Sequence, residues 1–168
     1  GRVGAYPLQV ARQGLIGLAF CNAGHLGRQI APYGGLDGKL STNPISFAAP
    51  RRDAEPILVD MTTSVCAEGK VRIAHNKGEM LPEGRIIDHD GNPSIDPEDF
   101  VGNPPGAILP FGGPVAYKGF CLGMVVEILG GALGGQGTAN GETVMQSNGL
   151  HLTVYNIEHF VEEKDFHS

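Results

Sequence analysis

A chain of 168 residues, 41 % of them hydrophobic, is long enough for one packed core, and at this size folding typically buries roughly 70 % of the unfolded surface. Twelve Lys and Arg stand against eighteen Asp and Glu, for a net charge of −6 with no basic run, which removes the long-range field that nucleic acid binding uses. The longest apolar stretch, Phe120 to Leu133, is interrupted by Glu127 and by glycines and falls short of the roughly 20 residues that span a bilayer, so no membrane partner is expected.

In chain order, Pro7 favours a short helix over Leu8 to Gln13 that Gly14 closes, and Leu15 to Cys21 is an apolar run of strand length. Ala23 to Gly38 is a glycine-dense loop. Ile45 to Ala49 and Ile57 to Met61 read as two strands around the polar turn Arg51 to Glu55, a candidate hairpin. Ser64 to Asn76 has helical composition, with Thr62, Thr63 or Ser64 available as N-cap, so the helix is expected to start beside Asp60.

Arg85 to Asp88 predicts a strand entering the turn His89-Asp90-Gly91-Asn92, since Asp-Gly accepts positive φ readily. Asp96 to Phe100 predicts a capped single turn, Ala107 to Leu109 a short strand, Lys118 to Leu133 the central helix, and His151 to Ile157 an alternating strand before an acidic tail. This order is neither a βαβ alternation nor a hairpin series, and it predicts an α/β fold with a layered mixed sheet and helices on both faces.

Three cysteines, Cys21, Cys66 and Cys121, lack the paired spacing of a zinc site and are expected to be buried free thiols. The six histidines form no metal-binding cluster, so no metal is expected. The opening residues show no basic segment followed by an apolar block and cleavage site, and the expected location is the cytoplasm.

The most informative segment is Gly112-Gly113-Pro114-Val115-Ala116-Tyr117-Lys118-Gly119, which sets one lysine between glycine turns at the mouth of an apolar helix. A helix N-terminus carries free N–H groups and partial positive charge, and a lysine there adds a full charge to an anion site. The alternative is a solvated first-turn lysine beside a flexible loop.

Together with Ser41-Thr42-Asn43-Pro44-Ile45-Ser46-Phe47-Ala48-Ala49-Pro50 and Val59-Asp60-Met61-Thr62-Thr63-Ser64-Val65-Cys66-Ala67-Glu68-Gly69-Lys70, this segment resembles the malate/L-lactate dehydrogenase family of NAD(P)-dependent oxidoreductases, which includes ureidoglycolate and sulfolactate dehydrogenases. The resemblance extends through Gly1-Arg2-Val3-Gly4, Ala31-Pro32-Tyr33-Gly34-Gly35, Asp90-Gly91-Asn92-Pro93 and Leu109-Pro110-Phe111-Gly112-Gly113, in the family's order. It implies a non-Rossmann α/β cofactor domain. A Rossmann fingerprint is indeed missing: Gly135-Gln136-Gly137, with Gly141 behind it, has the wrong spacing and follows a helical segment.

What the resemblance implies for function is hydride transfer between NAD or NADP and a 2-oxo or 2-hydroxy acid, in a full-length homodimer. Asp60, at a strand end, is expected to accept from ribose hydroxyls, with Met61 and Thr62 lining the cofactor; the alternative makes Asp60 an ordinary N-cap. Lys118 matches the family's cofactor-binding lysine, and Thr42-Asn43-Pro44 its turn near the nicotinamide, with Ser41 in place of the usual glycine. Ala23 stands where some members carry a cofactor-binding serine and can offer only its backbone. Arg85 stands where many members have a tryptophan, which puts the packing of that loop in question.

The family's proton-transferring histidine lies in a Ser-Asn-His-x-Gly-Arg motif, and Gly1-Arg2 matches the end of it, so no catalytic residue is assigned within the chain and the histidine is expected just before Gly1. Residues 1–168 are thus expected to form a single NAD(P)-binding domain, a piece of a larger enzyme without its N-terminal and C-terminal helical segments. His25, in Gly24-His25-Leu26-Gly27-Arg28, imitates the motif, but a proton donor must lie within hydrogen-bonding reach of the substrate carbonyl. The rival to the enzyme is a dinucleotide-binding module without turnover, and what precedes Gly1 would discriminate them.

Overall fold

The structure, a computed structural model, describes residues 2–138 and 148–167 apart from the side chains of His25 and Leu26. Gly1, Gly141 and the His25 side chain, all singled out above, lie outside the described residues. The first helix, α1 (Ala5–Ala11), ends before Gly14, whose φ of 79° reverses the chain into β1 (Ile16–Asn22). Pro7 is buried in the third position of α1, so the helix starts earlier than the proline alone suggests.

A single 3₁₀ turn (Gly24–Gly27) and a long loop lead to β2 (Ile45–Arg51) and β3 (Ala54–Met61), which form the expected hairpin. A bulge between Ala49 and Arg51 and the positive φ of Asp53 close its turn. With β7 (Gly149–Tyr155) the strands make a sheet in the order β3-β2-β1-β7. The α1 helix packs on β1 and β2 from one face, where Gly17 lets Pro7 and Val10 come close. The opposite face receives α4 (Tyr117–Val126) and the π-helical turn Glu127–Ala132 that continues it, with Gly130 and Gly131 against Asn22.

The layered α/β architecture with helices on both faces is therefore observed. All ladders are antiparallel, and parallel pairing among the described residues is the isolated bridge Ile30–Ile108. Short turns force the antiparallel sense of β2–β3 and of Ile86–Ile87 with Pro93–Ser94, whereas β1–β2, β1–β7 and the pair Ile86–Ile87 with Ala107–Ile108 are joined by long stretches of chain and their sense is set by tertiary packing.

A second layer carries most of the large buried apolar side chains. Here α2 (Glu68–Lys77), the short strands β4 (Ile86–Ile87), β5 (Pro93–Ser94) and β6 (Ala107–Ile108), and the single-turn helix α3 (Glu98–Val101) enclose Ile30, Leu40, Val71, Leu81, Ile86, Phe100 and Ile108. Each such side chain contributes about 1.5–3 kcal/mol on burial. The chain ends in a 3₁₀ turn (Ile157–His159) and α5 (Glu163–Phe166).

Two local expectations change. The helix expected from Ser64 begins at Glu68 behind Ala67, because Thr62 and Ser64 spend their hydroxyls on the carbonyls of Ser64 and Cys66 in a bend. Of the three free thiols, Cys66 alone is buried, Cys21 is half-buried and Cys121 lies on the exposed side of α4; burial pushes the Cys66 and Cys21 thiols up. Arg85 donates through Nη1 to the Val65 carbonyl and so ties its loop to the β3–α2 bend.

The Asp-Gly turn after β4 is held by one carboxylate. Asp88 accepts from the side-chain amide of Asn92 at 3.0 Å, from the Asn92 N–H at 2.8 Å and from the Asp90 N–H at 3.0 Å, while Gly91 takes φ 87°. These donors, the Asn92 side chain first, hold the Asp88 carboxyl below its ordinary value. Its contribution to stability is accordingly present above the unfolded-state carboxylate range and is lost as pH falls through the lowered folded value. Protection of the Asp90 and Asn92 amides, taken relative to the intrinsic exchange rate at each pH, is expected to fall selectively on acidification, and Asp88→Asn to abolish that pH dependence.

Candidate functional site

An open cleft of about 590 Å³ lies where the carboxyl end of β3 meets the loops after β1 and before β2. Its walls include Ala23, Thr42, Asp60, Met61 and Thr62, drawn from three separated stretches of chain, together with Val3, Gln29 and Ser41. Five of the seven sequence-selected cofactor residues thus share one wall. Volumes of about 300–1,000 Å³ with a few convergent polar groups are usual for small-molecule and cofactor sites.

Asp60 sits near the end of β3, seven residues ahead of the α2 N-cap, so it caps nothing. Its carboxylate lies against the start of α1, where a Cβ on Gly4 would come within 2.5 Å of Oδ2; glycine is what lets the two segments touch. Arg2 Nε stands 3.9 Å from the same oxygen, so Arg2 approaches the cleft. The Asp60 side chain is 27 % exposed and free to accept from a bound hydroxyl.

Asn43 does not line the cleft. It is fully buried behind Thr42, with φ 42°, a left-handed conformation that asparagine tolerates better than other non-glycine residues. Its amide is tied to Ser41 and to α4 residues, and Pro44 fixes the exit of the turn.

Lys118 is exposed in the first turn of α4 and is absent from the cleft walls. The 3₁₀ turn Gly113–Val115 runs directly into α4, and the Ala116 N–H is used by the Gly113 carbonyl, so the helix mouth is partly satisfied by its own chain. The link to the cleft is short all the same: Thr63, next to Thr62, accepts from the Phe111 N–H at 2.9 Å, and Phe111 lies against Gly119.

Sequence reasoning missed the amino end of α2, where Ala67, Glu68 and Gly69 complete the cleft. No side chain caps it, the Glu68 carboxylate turns along the helix to Arg72, and a Cβ on Gly69 would meet nothing within 4 Å. The Lys70 N–H is used by the Ala67 carbonyl at 3.0 Å, and the amides ahead of it, uncapped by any side chain and beside open space, suit an anion. The late helix start hid this, since composition alone made residues 64–67 helical. Glu127 was also missed; its signal was a lone carboxylate inside the apolar run 120–133.

An α/β domain with a polar cleft at the end of an antiparallel sheet, and no glycine fingerprint, defines a non-Rossmann class of site. The model of the malate/L-lactate dehydrogenase family matches residues 1–168, and the chain belongs to that family. It is 45 % identical over 139 residues to an L-lactate dehydrogenase of Cupriavidus necator, covering 82 % of this chain and 39 % of the relative. It is 38 % identical over 175 residues to a malate dehydrogenase of Pyrococcus horikoshii, covering 99 % of this chain and 47 % of the relative. Among solved structures, the delta1-piperideine-2-carboxylate reductase of Pseudomonas syringae superposes with a TM-score of 0.80 at 34 % identity, over 94 % of this chain and 47 % of that one. The chain spans less than half the length of these relatives.

Proposed function

We propose that the protein containing this chain transfers a hydride reversibly between NADH or NADPH and a 2-oxo acid, or a related imino acid, and that residues 1–168 form its dinucleotide-binding domain. The observation that carries this reading is the convergence of Ala23, Thr42, Asp60, Met61 and Thr62 on one cleft from segments more than a dozen residues apart. Relatives named as dehydrogenases and as an imino acid reductase support the reaction class.

The residues present fit a dinucleotide. Asp60 supplies an acceptor for ribose hydroxyls, the uncapped α2 amides and the open space at Gly69 supply a place for phosphate, and Thr42 and Met61 supply a mixed wall for a ring. The acidic Asp60 repels phosphate, which keeps ribose and phosphate in separate parts of the cleft. Lys118 serves as a further phosphate contact where the ligand leaves the cleft past Thr63. When bound, the nicotinamide supplies the hydride; this chain binds, orients and excludes water. The proton-transferring histidine is taken to precede Gly1, and the nearness of Arg2 and Val3 to the cleft supports that direction of approach.

The same reading makes the full-length protein a cytoplasmic homodimer. No helix among the described residues is long and apolar enough to cross a membrane, and Leu150, Leu152 and Val154 of β7 leave an apolar face open to a covering partner. Titration of the full-length protein with NADH and NADPH, followed by nicotinamide fluorescence, is expected to show saturable binding, and 2-oxo acids are expected to oxidise the bound reduced cofactor. Absence of saturable binding to both would remove the proposal. Light scattering after gel filtration tests the dimer.

A further inference from the structure

Behind the cleft wall lies a group of polar side chains that the reading above does not use. Asn22 and Asn43 are fully buried, Glu127 is 2 % exposed and Ser41 is 4 % exposed. Glu127 Oε1 accepts from the Asn22 side-chain amide at 2.7 Å and from the Asn43 side-chain amide at 2.8 Å. The Asn43 amide also reaches the Gly123 carbonyl at 3.2 Å.

This arrangement leaves no freedom of direction. A carboxylate only accepts, so both asparagines must turn their NH₂ groups to Glu127 and their oxygens away from it. The Asn22 oxygen then accepts from the Gly24 N–H at 2.5 Å, and the Asn43 oxygen accepts from the Ser41 hydroxyl. With its proton so committed, Ser41 Oγ accepts from the N–H of Ala23 at 3.4 Å and of Asn43 at 3.3 Å. One carboxylate therefore sets the orientation of both loops, 22–24 and 41–43, whose Ala23 and Thr42 face the cleft.

Regular helix brings Glu127 there: it ends α4 with its N–H on the Gly123 carbonyl, and Gly130 and Gly131 let the π-helical turn that follows settle on Asn22 and the end of β1.

We propose that Glu127 is a positioning residue for the cofactor: it holds the β1 and pre-β2 loops in their ligand-binding geometry without touching the ligand. This inference rests on the dinucleotide reading of the cleft. Satisfied buried networks rigidify the segments they join, and a half-satisfied network leaves buried donors without partners. Loss of Glu127 therefore frees both asparagine amides at once, and the binding loops lose their common reference.

The test uses the full-length protein titrated with NADH and NADPH. Glu127→Leu is expected to raise the dissociation constant roughly ten-fold or more, because binding must then order backbone that the network no longer holds, at about 1–2 kcal/mol per residue. Glu127→Gln retains an Oε1 that both amides can reach and is expected to restore affinity to within about three-fold of wild type. Val126→Ala, a fully buried neighbour outside the network, is expected to lower the melting temperature while leaving affinity unchanged.

Folded Glu127→Leu protein that binds like wild type would overturn the inference, as would a Val126→Ala variant that loses affinity equally. Should Glu127→Leu not fold, Ser41→Ala, which removes the acceptor for the Ala23 and Asn43 N–H groups, is expected to weaken binding several-fold, and unchanged affinity there also overturns it. Wild-type protein that binds neither dinucleotide removes the cofactor reading itself, and this inference with it.

Discussion

Gly119→Ala is expected to lower the melting temperature of the protein by about 4–8 °C. Inside a helix alanine is favoured over glycine by about 1 kcal/mol, so propensity alone predicts the opposite sign. A Cβ at Gly119, however, would come within 2.1 Å of the Phe111 carbonyl oxygen and 2.7 Å of its nitrogen, both backbone atoms. Overpacking of this kind costs about 3 kcal/mol or more when backbone must move. The clash wins by about 2 kcal/mol, and for a chain of this length each kcal/mol moves the midpoint by about 2–4 °C. Gly69→Ala is the control: nothing lies within 4 Å of its Cβ position in α2, so it is expected to stabilise by about 0.5–1 kcal/mol. Calorimetry on the two variants checks both signs, and a stabilised Gly119→Ala would mean that α4 does not pack on the Phe111 segment. The glycine of the Lys-Gly pair is thus explained by helix packing, independently of any ligand.

Asp60→Ala is expected to weaken dinucleotide binding roughly ten-fold or more in the full-length protein, in line with about 1.5–3 kcal/mol for a hydrogen bond to a charged group. The effect should persist at high salt, because a hydrogen bond from a ribose hydroxyl to a partly buried carboxylate is poorly screened. Lys118→Ala should behave differently. Its side chain is exposed, so its contribution to a phosphate is that of a solvated point charge, visible at low ionic strength and shrinking as salt rises. NADH titrations at low and high salt separate the two. If Asp60→Ala binds as tightly as wild type, the ribose role is lost and the carboxylate serves only to join β3 to Arg2 and α1.

Local features were legible because the residues that decide them are neighbours in sequence. The turn between β2 and β3, the Asp90-Gly91 turn with its Asp88 acceptor, and the helix and strand on either side of Gly14 all follow from short-range chemistry. The family motifs were legible in the same way. The start of α2 was not, because Thr62 and Ser64 could equally cap a helix or close a bend, and contacts beyond the segment chose the bend. Nor could sequence alone say that Asn43 turns inward while Thr42 faces the cleft, since the reversal depends on Glu127, 84 residues away. By itself the sequence determined the family, the hairpin, the acidic surface and the candidate residues. Tertiary structure decided which of them meet: the β2–β3 pairing and the bond from the Thr63 N–H to the Thr42 carbonyl bring the loop before β2 to the end of β3, and α4 carries Glu127 to both asparagines. The physical reason is that long-range antiparallel pairing and helix packing bring together residues whose separation along the chain carries no local signal.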